Sequence, residues 1–498
     1  MHSNQKGESL FMKLSPQINS HFFKLDKHKL CAFLKPVLIL FLIYSIGASA
    51  IFRANFYYID DMGRANIGYT GWEKMSRYVS VYLSYLIHTD SVLADISPLT
   101  QYIALFFIAI SGISLIYLFQ GHLQITWIQY VATIPLALSP YFLECLSYKF
   151  DAPYMALSIL ASVVPLLFRH KNILLYFIIS TISILMVCMT YQAACGLYPI
   201  LVIILVTRDW SQKQDWKNIL IFIGISVLSY GTGILVFKFL IMKPVDTYVS
   251  SEIFSLSEIL PGFIGNLKNY YSYVLNDYRP LWLVLTGICI ATYLWVFIRD
   301  SQQHRLLAAV VGIIAVAFIT IIAFGIYPAL IQPPFEPRTM YGFPTAVCML
   351  TIAACTGRSL PIGKMACIVL SWCFVVLSFS YGNALAAQAE YTNYRVQMVA
   401  ESICDLGYAS NNEPYYLTVK GTIGFAASVP DDPIVKRLVP VTFCENWYWG
   451  IYGLAHYYNL NNVHPITGEI EMDNPVRVVD NILYSIDVSG QNLLITLK

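Results

Sequence analysis

The sequence predicts a mainly α-helical protein that crosses a membrane many times and ends in a small α/β domain. Of the 498 residues, 57% are hydrophobic and 12% are charged, and the mean hydropathy is +0.59. Soluble domains carry about 25% charged residues, so this deficit and the many long apolar runs indicate a polytopic membrane protein. The net charge of +2 and the lack of a basic patch interleaved with aromatic residues give no signal for nucleic-acid binding.

Eleven apolar stretches are candidates for membrane-spanning helices, each of which needs roughly 20 mostly apolar residues. They lie near residues 32–52, 100–120, 123–143, 152–168, 172–189, 193–207, 218–241, 281–298, 306–330, 341–356 and 365–385. The N-terminal segment 1–30 is polar and basic and has no apolar core. It is therefore not expected to be a cleavable signal peptide, and the first span should remain as an anchor.

The basic residues of the short loops predict the orientation, because lysine and arginine favour the cytoplasmic side. The N-terminal end carries Lys13, Lys24, Lys27, Lys29 and Lys35, and four of the five even-numbered loops carry Arg169 and Lys171; Arg208, Lys213 and Lys217; Arg299 and Arg305; Arg358 and Lys364. The N-terminus is therefore predicted to lie in the cytoplasm, and an odd number of spans places the C-terminus outside. The outward loops are then 53–99, 144–151, around 190, 242–280 and 331–340.

Three regions follow from this division: a cytoplasmic segment 1–30, a membrane domain 31–385 and a periplasmic domain 386–498. The last region is less apolar and predicts a helix ended by Gly407, a strand in "YYLTVKG" and a hairpin around Ser489–Gly490–Gln491. Cys404 and Cys444 both lie in this region, where an oxidising compartment would permit a disulfide. A disulfide between them and two free thiols both remain open from the sequence.

The first outward loop opens with the acidic stretch "NFYYIDDMGR", residues 55–64. Asp60 and Arg64 are four residues apart and would share a helical face, whereas Asp60 and Asp61 diverge by about 100° and could not easily chelate one metal together. The plain interpretation is a helix start with a capping aspartate and a surface ion pair. The aromatic residues that follow suggest helices lying along the membrane interface, where an acidic pair could act on a lipid headgroup; they are Trp72, Tyr78, Tyr82 and Tyr85.

The second outward loop, "ECLSYKFDAP" at 144–153, carries Glu144, Lys149 and Asp151 within eight residues. These side chains could take part in a site, or the loop could simply be solvated with local ion pairing. At residues 190–196, "TYQAACG" places Tyr191 and Gln192 at another outward end. They could bond sugar hydroxyls or anchor the span.

The proline-rich loop "YPALIQPPFEPRTMYGFP", residues 327–344, carries Glu336 and Arg338. Its prolines stiffen the backbone, and arginine suits bidentate recognition of phosphate. The alternative is an ordinary ion pair within the loop.

The sequence contains none of the common motifs for serine hydrolases, phosphate-binding loops, zinc proteases or paired cysteines. There is no GxSxG, Walker A, HExxH or CxxC motif, and the nine histidines are scattered, so no metal site is predicted. Charge within the spans is scarce, with Lys238 the clear case near one end. Ion-coupled transporters usually need ionisable groups inside the membrane, so this scarcity disfavours transport.

Four motifs in order make the chain resemble the serotype-converting O-antigen glucosyltransferases, integral membrane enzymes encoded in phage-derived gene clusters. They are "IDDMGR" after the first span, "SYKFDAPYMALSIL" at 147–160, "TYQAACG" at 190–196 and "EPRTMYGFP" at 336–344. The resemblance implies a GT-C-type fold, an undecaprenyl-phosphate sugar donor, usually of glucose, and an O-antigen sugar of lipopolysaccharide as acceptor. It also implies a periplasmic active site in the bacterial inner membrane and a functional partnership with a lipid-linked sugar flippase and a polyprenyl-phosphate glucosyltransferase. No cofactor is expected, and a divalent metal stays open.

The resemblance places the catalytic acid in the first outward loop, where Asp60 and Asp61 stand. The family's first motif often begins Asn-Asp-Asp, but this chain has Ile59 in the first position, which leaves open which aspartate does which task. A carboxylate would act as general base on the acceptor hydroxyl, and direct displacement with inversion is expected. The leaving lipid phosphate would be stabilised by basic side chains, for which the candidates are Arg338, Arg64 and Lys149.

Further candidates for binding the sugar or the acceptor are Glu144, Asp151, Tyr191, Gln192, Glu336, Trp447 and Trp449. The last two belong to the aromatic stretch "ENWYWGIYGLAHYY", residues 445–458, which could stack on sugar rings, form the core of the small domain or dock it on the outward loops.

The competing function is a flippase or transporter of a lipid-linked sugar, which should show a matching polar cluster on the inner side. A structural assembly partner would not need acids in four outward loops.

Overall fold

Eighteen α-helices, five short 3₁₀ or π helices and five strands build the part of the chain that the computed structural model describes, namely residues 27–243, 252–355, 360–408, 413–457, 460 and 462–498. The helices are α1 Lys27–Ala54, α2 Asp61–Ile67, α3 Tyr78–His88, α4 Leu99–Gln120, α5 Trp127–Leu138, α6 Pro140–Ser147, α7 Ala152–Val163, α8 Ile173–Thr190, α9 Leu197–Ser211, α10 Trp216–Val236, α11 Ile259–Asp277, α12 Pro280–Asp300, α13 Arg305–Ile322, α14 Pro337–Met340, α15 Gly342–Cys355, α16 Pro361–Asp405, α17 Pro433–Leu438 and α18 Tyr448–Tyr457. The strands are β1 Tyr415–Lys420, β2 Val463–Pro465, β3 Val476–Asp480, β4 Tyr484–Ser489 and β5 Asn492–Leu497. The predicted cytoplasmic segment 1–30 lies almost wholly outside these residues, as does Arg358.

Within the described ranges, eight helices are long and apolar enough to cross a membrane. They are Leu30–Ala54, Leu99–Gln120, Ile173–Thr190, Gln192–Ser211, Trp216–Ile241, Pro280–Asp300, Arg305–Ile322 and Pro361–Asp405. This confirms the helical membrane class, and each of the eight coincides with a predicted span.

The other three predicted spans are shorter helices. Stretch 123–143 is divided into α5 and α6 at Ser139, because Pro140 has no N–H to continue the first helix and begins the second. Stretch 152–168 is α7, 12 residues long, followed by the 3₁₀ turn Val164–Phe168, and stretch 341–356 is α15, 14 residues long. The predicted number of eleven spans is therefore not reproduced by length.

The loops predicted to face outward meet at one end of the helix bundle, which we call the site end. Contacts there join Lys149 to Asn55, Arg77 to Gln192 and Arg338 to Glu144. At the far end of α8, Arg169 pairs with Asp209 at 2.8 Å, and the Gln302 backbone N–H donates to the carbonyl of Ser211 at 2.8 Å. The grouping of the loops thus follows the sequence pattern, and the side of the membrane that each group faces stays a prediction.

The C-terminal region contains a five-stranded sheet in the order β2-β1-β5-β4-β3. β4 and β5 form the predicted antiparallel hairpin, and β1 runs parallel to both β2 and β5. The far half of α16 covers this sheet, since Val396, Val399 and Ile403 share a buried cluster with residues of the strands. Gly407 follows the helix with φ at +79°, as the predicted stop requires.

The boundary predicted at residue 386 falls inside α16, which is 45 residues long and ends at Asp405. The C-terminal region is also joined to the bundle a second time, because α17 and its neighbours lie in the core of the membrane domain. Cys404 is exposed, Cys444 is partly exposed, and both are free thiols in the structure.

Candidate active site at one end of the bundle

An acid cluster with one arginine at its centre occupies the site end. Asp60 caps α2, and its Oδ2 lies 2.7 Å from Nη1 of Arg64 one turn later, which is the predicted i,i+4 pair. The same nitrogen lies 2.7 Å from Oδ2 of Asp151, which precedes α7. The other oxygen of Asp151 accepts from Trp72 Nε1 at 2.5 Å. The first and second outward loops are therefore tied together through one guanidinium.

The two adjacent aspartates have different surroundings. Asp61 is fully buried, and its Oδ2 accepts from the backbone N–H groups of Tyr58 at 3.0 Å and Lys149 at 2.9 Å. Its Oδ1 is buried without a hydrogen-bond partner among the described residues. Burial and the neighbouring charge of Asp60 raise the pKa of Asp61 well above its ordinary value. Asp60, by contrast, keeps 29% of its side chain exposed.

Ile59 gives the loop a strained turn directly before this pair. Its φ is +52°, in the left-handed region that a β-branched side chain rarely adopts and that asparagine tolerates better. Ile59 thus replaces the asparagine of the family pattern at a position whose backbone conformation suits asparagine.

The acid cluster could also hold a cation. One oxygen from each of Asp60, Asp61 and Asp151 lies within 4.8 Å of the others, closer than the sequence argument about adjacent aspartates allowed. Arg64 already contacts two of the three carboxylates, so its guanidinium supplies positive charge at this point.

Lys149 is engaged within the protein. Its Nζ lies 2.6 Å from Asn55 Oδ1 and 3.0 Å from Asp95 Oδ2, over the face of the Tyr57 ring at 3.9 Å. Only 2% of its side chain is exposed. The lysine therefore holds the start of the first loop, and its backbone N–H holds Asp61.

A second polar cluster joins α6 to the proline-rich loop. Glu144 is buried, and its two oxygens accept from Arg338 Nη1 at 2.7 Å and from the Arg338 backbone N–H at 2.6 Å. Glu336 caps α14 and Pro337 begins it, which places Arg338 in this short helix. Arg338 keeps 14% of its side chain exposed, against 4% for Arg64 and 2% for Lys149. It is therefore the most accessible of the three predicted phosphate ligands.

Tyr191 and Gln192 connect the two clusters. The Tyr191 ring stacks on Tyr341 with 6.2 Å between centroids, and Tyr341 follows Arg338 by one helical turn. Cζ of Arg77 also lies 4.7 Å from the centroid of the Tyr191 ring. Arg77 Nε donates to Oε1 of Gln192 at 3.0 Å.

The tail tryptophans lie beside α2. Trp449 stacks on Tyr69 with 5.5 Å between centroids and an interplanar angle of 14°. Its ring also covers Gly63, where an added Cβ would lie 2.3 Å from it. Trp447 precedes α18, is partly buried, and has an indole N–H without a hydrogen-bond partner among the described residues. The contacts of Trp449 agree with the docking alternative, since they join the tail to the helix that carries Asp61.

Several residues of the site were missed in the sequence. Asn55, Tyr69, Asp95 and Arg77 contact the predicted residues but belong to no motif. Arg77 did carry a signal, because outward loops usually contain few basic residues, and it is a basic residue of the first outward loop.

The fold and these clusters, taken with comparisons to known proteins, define a membrane-bound glycosyltransferase. The family model described as glucosyl transferase GtrII matches residues 49–350, which is more than half of the chain and holds every candidate site residue outside the tail. The chain therefore belongs to the GtrII glucosyl transferase family. A relative from Salmonella phage P22, named as an uncharacterized 55.3 kDa protein in the gtrB 5′ region, is 24% identical over 462 residues, covering 88% of this chain and 93% of that protein. No solved structure matches the chain.

Proposed function

We propose that this protein transfers glucose from undecaprenyl phosphate to a sugar of the O-antigen of lipopolysaccharide, on the periplasmic side of the bacterial inner membrane, and so causes serotype conversion. The family supports glucosyl transfer, and the many apolar helices support a donor held in the membrane. Nucleotide sugars are confined to the cytoplasm, so an enzyme acting outside needs a lipid-carried donor. The N-terminus is cytoplasmic and the C-terminus periplasmic in this proposal.

The observation that carries the proposal is the pair of unlike aspartates beside Arg64. Asp60 is accessible and its carboxylate is oriented by Arg64, whereas Asp61 is buried and held by two backbone N–H groups. A general base must reach the proton that it removes. Asp60 is therefore the base, and Asp61 is a positioning residue that joins the first loop to the backbone of Lys149.

The reaction needs one displacement. The acceptor hydroxyl oxygen attacks the anomeric carbon, and its proton passes to the carboxylate of Asp60. The bond between that carbon and the phosphate oxygen breaks, and the electron pair leaves with the lipid phosphate. Arg338, oriented by Glu144 on two of its donors, stabilises the charge that develops there. A single displacement inverts the anomeric configuration.

The acceptor polysaccharide approaches across α2 and α18. Tyr69 and Trp449 form a stacked aromatic pair next to Arg64, and aromatic faces suit sugar rings. Asp151, Glu336, Tyr191, Gln192 and Trp447 complete the set of sugar-binding candidates. The donor is supplied by a polyprenyl-phosphate glucosyltransferase and a lipid-linked sugar flippase.

No cofactor takes part in this proposal, because Arg64 supplies positive charge within the acid cluster. Transfer is therefore expected to persist when divalent cations are removed with a chelator. Loss of transfer that is restored by a divalent ion would instead assign Asp60, Asp61 and Asp151 to a metal.

The experiment is transfer of radiolabelled glucose from undecaprenyl phosphate to O-antigen by the purified full chain. Asp60→Asn should lower transfer by a factor of about 10² to 10⁴ while the melting temperature is maintained. Asp431→Asn, at an aspartate whose side chain is 93% exposed, is the control and should remain active. Wild-type protein that moves the lipid-linked sugar across vesicles without transferring it would favour the flippase.

A further inference from the structure

Arg77 lacks a carboxylate partner among the residues that the structure describes. Three other arginines of the site end each contact an acid: Arg64 contacts Asp60 and Asp151, Arg338 contacts Glu144, and Arg437 contacts Asp277. The exposed Arg53 instead donates to the amide oxygen of Asn383. Arg77 is partly buried, and its Nε donates to the amide oxygen of Gln192 at 3.0 Å. The charge of Arg77 acts on the Asp151 carboxylate without a direct ion pair between them. A partly buried cation without a directly bonded anion is costly, and an anionic ligand would lower that cost.

Arg77 contacts residues that connect it to both clusters of the site. Its backbone N–H donates to the carbonyl of Trp72 at 3.0 Å, and Trp72 holds Asp151. Its guanidinium lies over the Tyr191 ring, which also stacks on Tyr341 of the segment that carries Arg338. Arg77 is therefore connected through Trp72 to the acid cluster and through Tyr191 to the segment that carries Arg338.

Arg77 and Arg338 act on the same buried tyrosines. Burial raises the pKa of the Tyr327 hydroxyl, and the positive charges of Arg77 and Arg338 both oppose that rise. The same two arginines act in the same direction on Tyr191. The fields of both guanidinium groups thus reach one small region lined by tyrosine side chains.

We propose that Arg77 and Arg338 together bind the phosphate of the lipid-linked donor, with Arg77 as the ligand that forms no ion pair with any carboxylate that the structure describes. This inference rests on the proposed function and extends it to a residue outside the four motifs. Because the phosphate gains negative charge as the glycosyl bond breaks, Arg77 stabilises the leaving group more than the bound donor. Lipid phosphate and free phosphate share this chemistry, so the test separates them.

The alternative role for Arg77 is structural. It precedes α3 and joins the first outward loop to Gln192, and such a contact could serve only to hold two loops together. A structural role predicts a lower melting temperature on substitution, without a specific effect on phosphate binding.

The test compares undecaprenyl phosphate with undecaprenol, which lacks the phosphate, as thermal stabilisers of the full chain in nanodiscs. The wild type should be stabilised more by the phosphate form. Arg77→Gln should remove that difference and lower kcat/KM for the donor at least about tenfold, while KM for the acceptor is unchanged. Arg77→Lys should keep part of the difference, since it retains the charge but not the planar fork.

Matched variants make the result decisive. Arg279→Gln alters an arginine of the same end whose side chain is 46% exposed, and should behave as wild type. Arg338→Ala should lose the same phosphate-dependent stabilisation as Arg77→Gln. If Arg77→Gln fails to fold, Arg77→Lys is used for the comparison.

Three outcomes overturn the inference. The first is a folded Arg77→Gln protein that keeps the full difference between undecaprenyl phosphate and undecaprenol. The second is an equal loss of response to both lipids, and the third is inorganic phosphate stabilising the wild type as strongly as the lipid phosphate. Wild-type protein that binds undecaprenyl phosphate through Arg77 but transfers no glucose would refute the proposed function and leave this phosphate site in place.

Discussion

At the scale of single residues, the backbone places two adjacent aspartates of the site in different environments. Asp60 and Asp61 are neighbours, yet one is accessible beside Arg64 and the other is enclosed between the N–H groups of Tyr58 and Lys149. The cause is the start of α2 between them, since adjacent positions on a helix point in different directions. In the proposed function, Asp60 can therefore act as the base while Asp61 acts as the positioning residue.

The stability of the protein should depend on pH through Asp61. Its folded pKa is raised above the ordinary value of 3.8, so the native state holds the proton more tightly than the unfolded state. The corresponding stabilisation is present below the unfolded pKa and is lost as pH rises through the folded pKa. Asp61→Asn cannot ionise, so the wild type should lose stability relative to this variant as pH increases from about 4.

Melting temperatures of the two proteins in detergent across this pH range provide the measurement. Asp431→Asn serves as the exposed control and should follow the wild type. Parallel curves for the wild type and Asp61→Asn would show that burial does not hold the proton on Asp61.

At the scale of elements, packing of α18 on α2 connects the tail to the catalytic loop. Gly63 makes this possible, because the Trp449 ring occupies the space in which a side chain would stand. Met62 packs against Gly453 in the same interface, where an added Cβ would lie 3.4 Å from the Met62 side chain. The small residue at position 63 thus determines how closely the aromatic helix approaches Asp60 and Arg64.

Gly63→Ala should destabilise this interface by about 1–3 kcal/mol, the usual cost of overpacking. Trp449→Ala should also destabilise it, and the double variant should cost less than the sum, because removing the ring makes room for the methyl group. Limited proteolysis of the tail and the melting temperature measure both effects. The control is Gly265→Ala in α11, where a Cβ meets nothing within 4 Å, and additive costs in the double variant would contradict the packing argument.

The break between α5 and α6 also arises from a single residue, and it affects a distant part of the site. Pro140 ends one helix and begins another, so the stretch that reads as one span in hydropathy becomes two short helices. The second of these, α6, is buried throughout and carries Glu144 to Arg338. Because of Pro140, the second half of a predicted span becomes the short helix that positions Glu144 beside Arg338.

At the scale of the whole molecule, one helix of the C-terminal region, α17, packs in the core of the membrane bundle. Ile434, Val435 and Leu438 of α17 are fully buried in the core of the bundle. The carbonyl of Leu438 accepts from the Tyr58 hydroxyl at 2.7 Å, next to the acid cluster. Its neighbour Arg437 contacts Asp277, and it also donates to the carbonyl of Phe335 in the loop that carries Arg338. One short helix of the tail therefore touches both halves of the site.

Arg437→Ala should strongly destabilise the folded protein, by about 3–5 kcal/mol, because it leaves the buried Asp277 without its cation. Burial already raises the pKa of Asp277, and Arg437 opposes that rise. The neighbouring Lys436→Ala is the matched control, since its ion pair with Asp431 is exposed and should contribute little. The melting temperatures of the two variants give the comparison.

A second substitution separates loss of charge from loss of packing. Arg437→Met combined with Asp277→Leu removes both charges and should regain most of the stability lost in Arg437→Ala, as buried ion pairs often tolerate apolar replacement. Equal small effects of Arg437→Ala and Lys436→Ala would mean that α17 is not held by this pair.

The sequence by itself determined the class of the protein and the grouping of its loops. Apolar length and basic loop residues are local properties of the chain, and they predicted helices that the structure contains and the four polar stretches that meet at one end. The hairpin at Ser489–Gly490–Gln491 was equally local, and it forms as predicted. The motifs around Asp60, Lys149, Tyr191 and Arg338 were visible because each is short and continuous.

Only the tertiary structure decided what these residues do for one another. The difference between Asp60 and Asp61 depends on the backbone of Lys149, 88 residues away, and the environment of Asp277 depends on Arg437, 160 residues away. Arg77 could be distinguished from the arginines that pair with acids only through the contacts among the described residues. Burial and ion pairing arise from contacts between distant segments, and no local pattern of residue types specifies which segments meet.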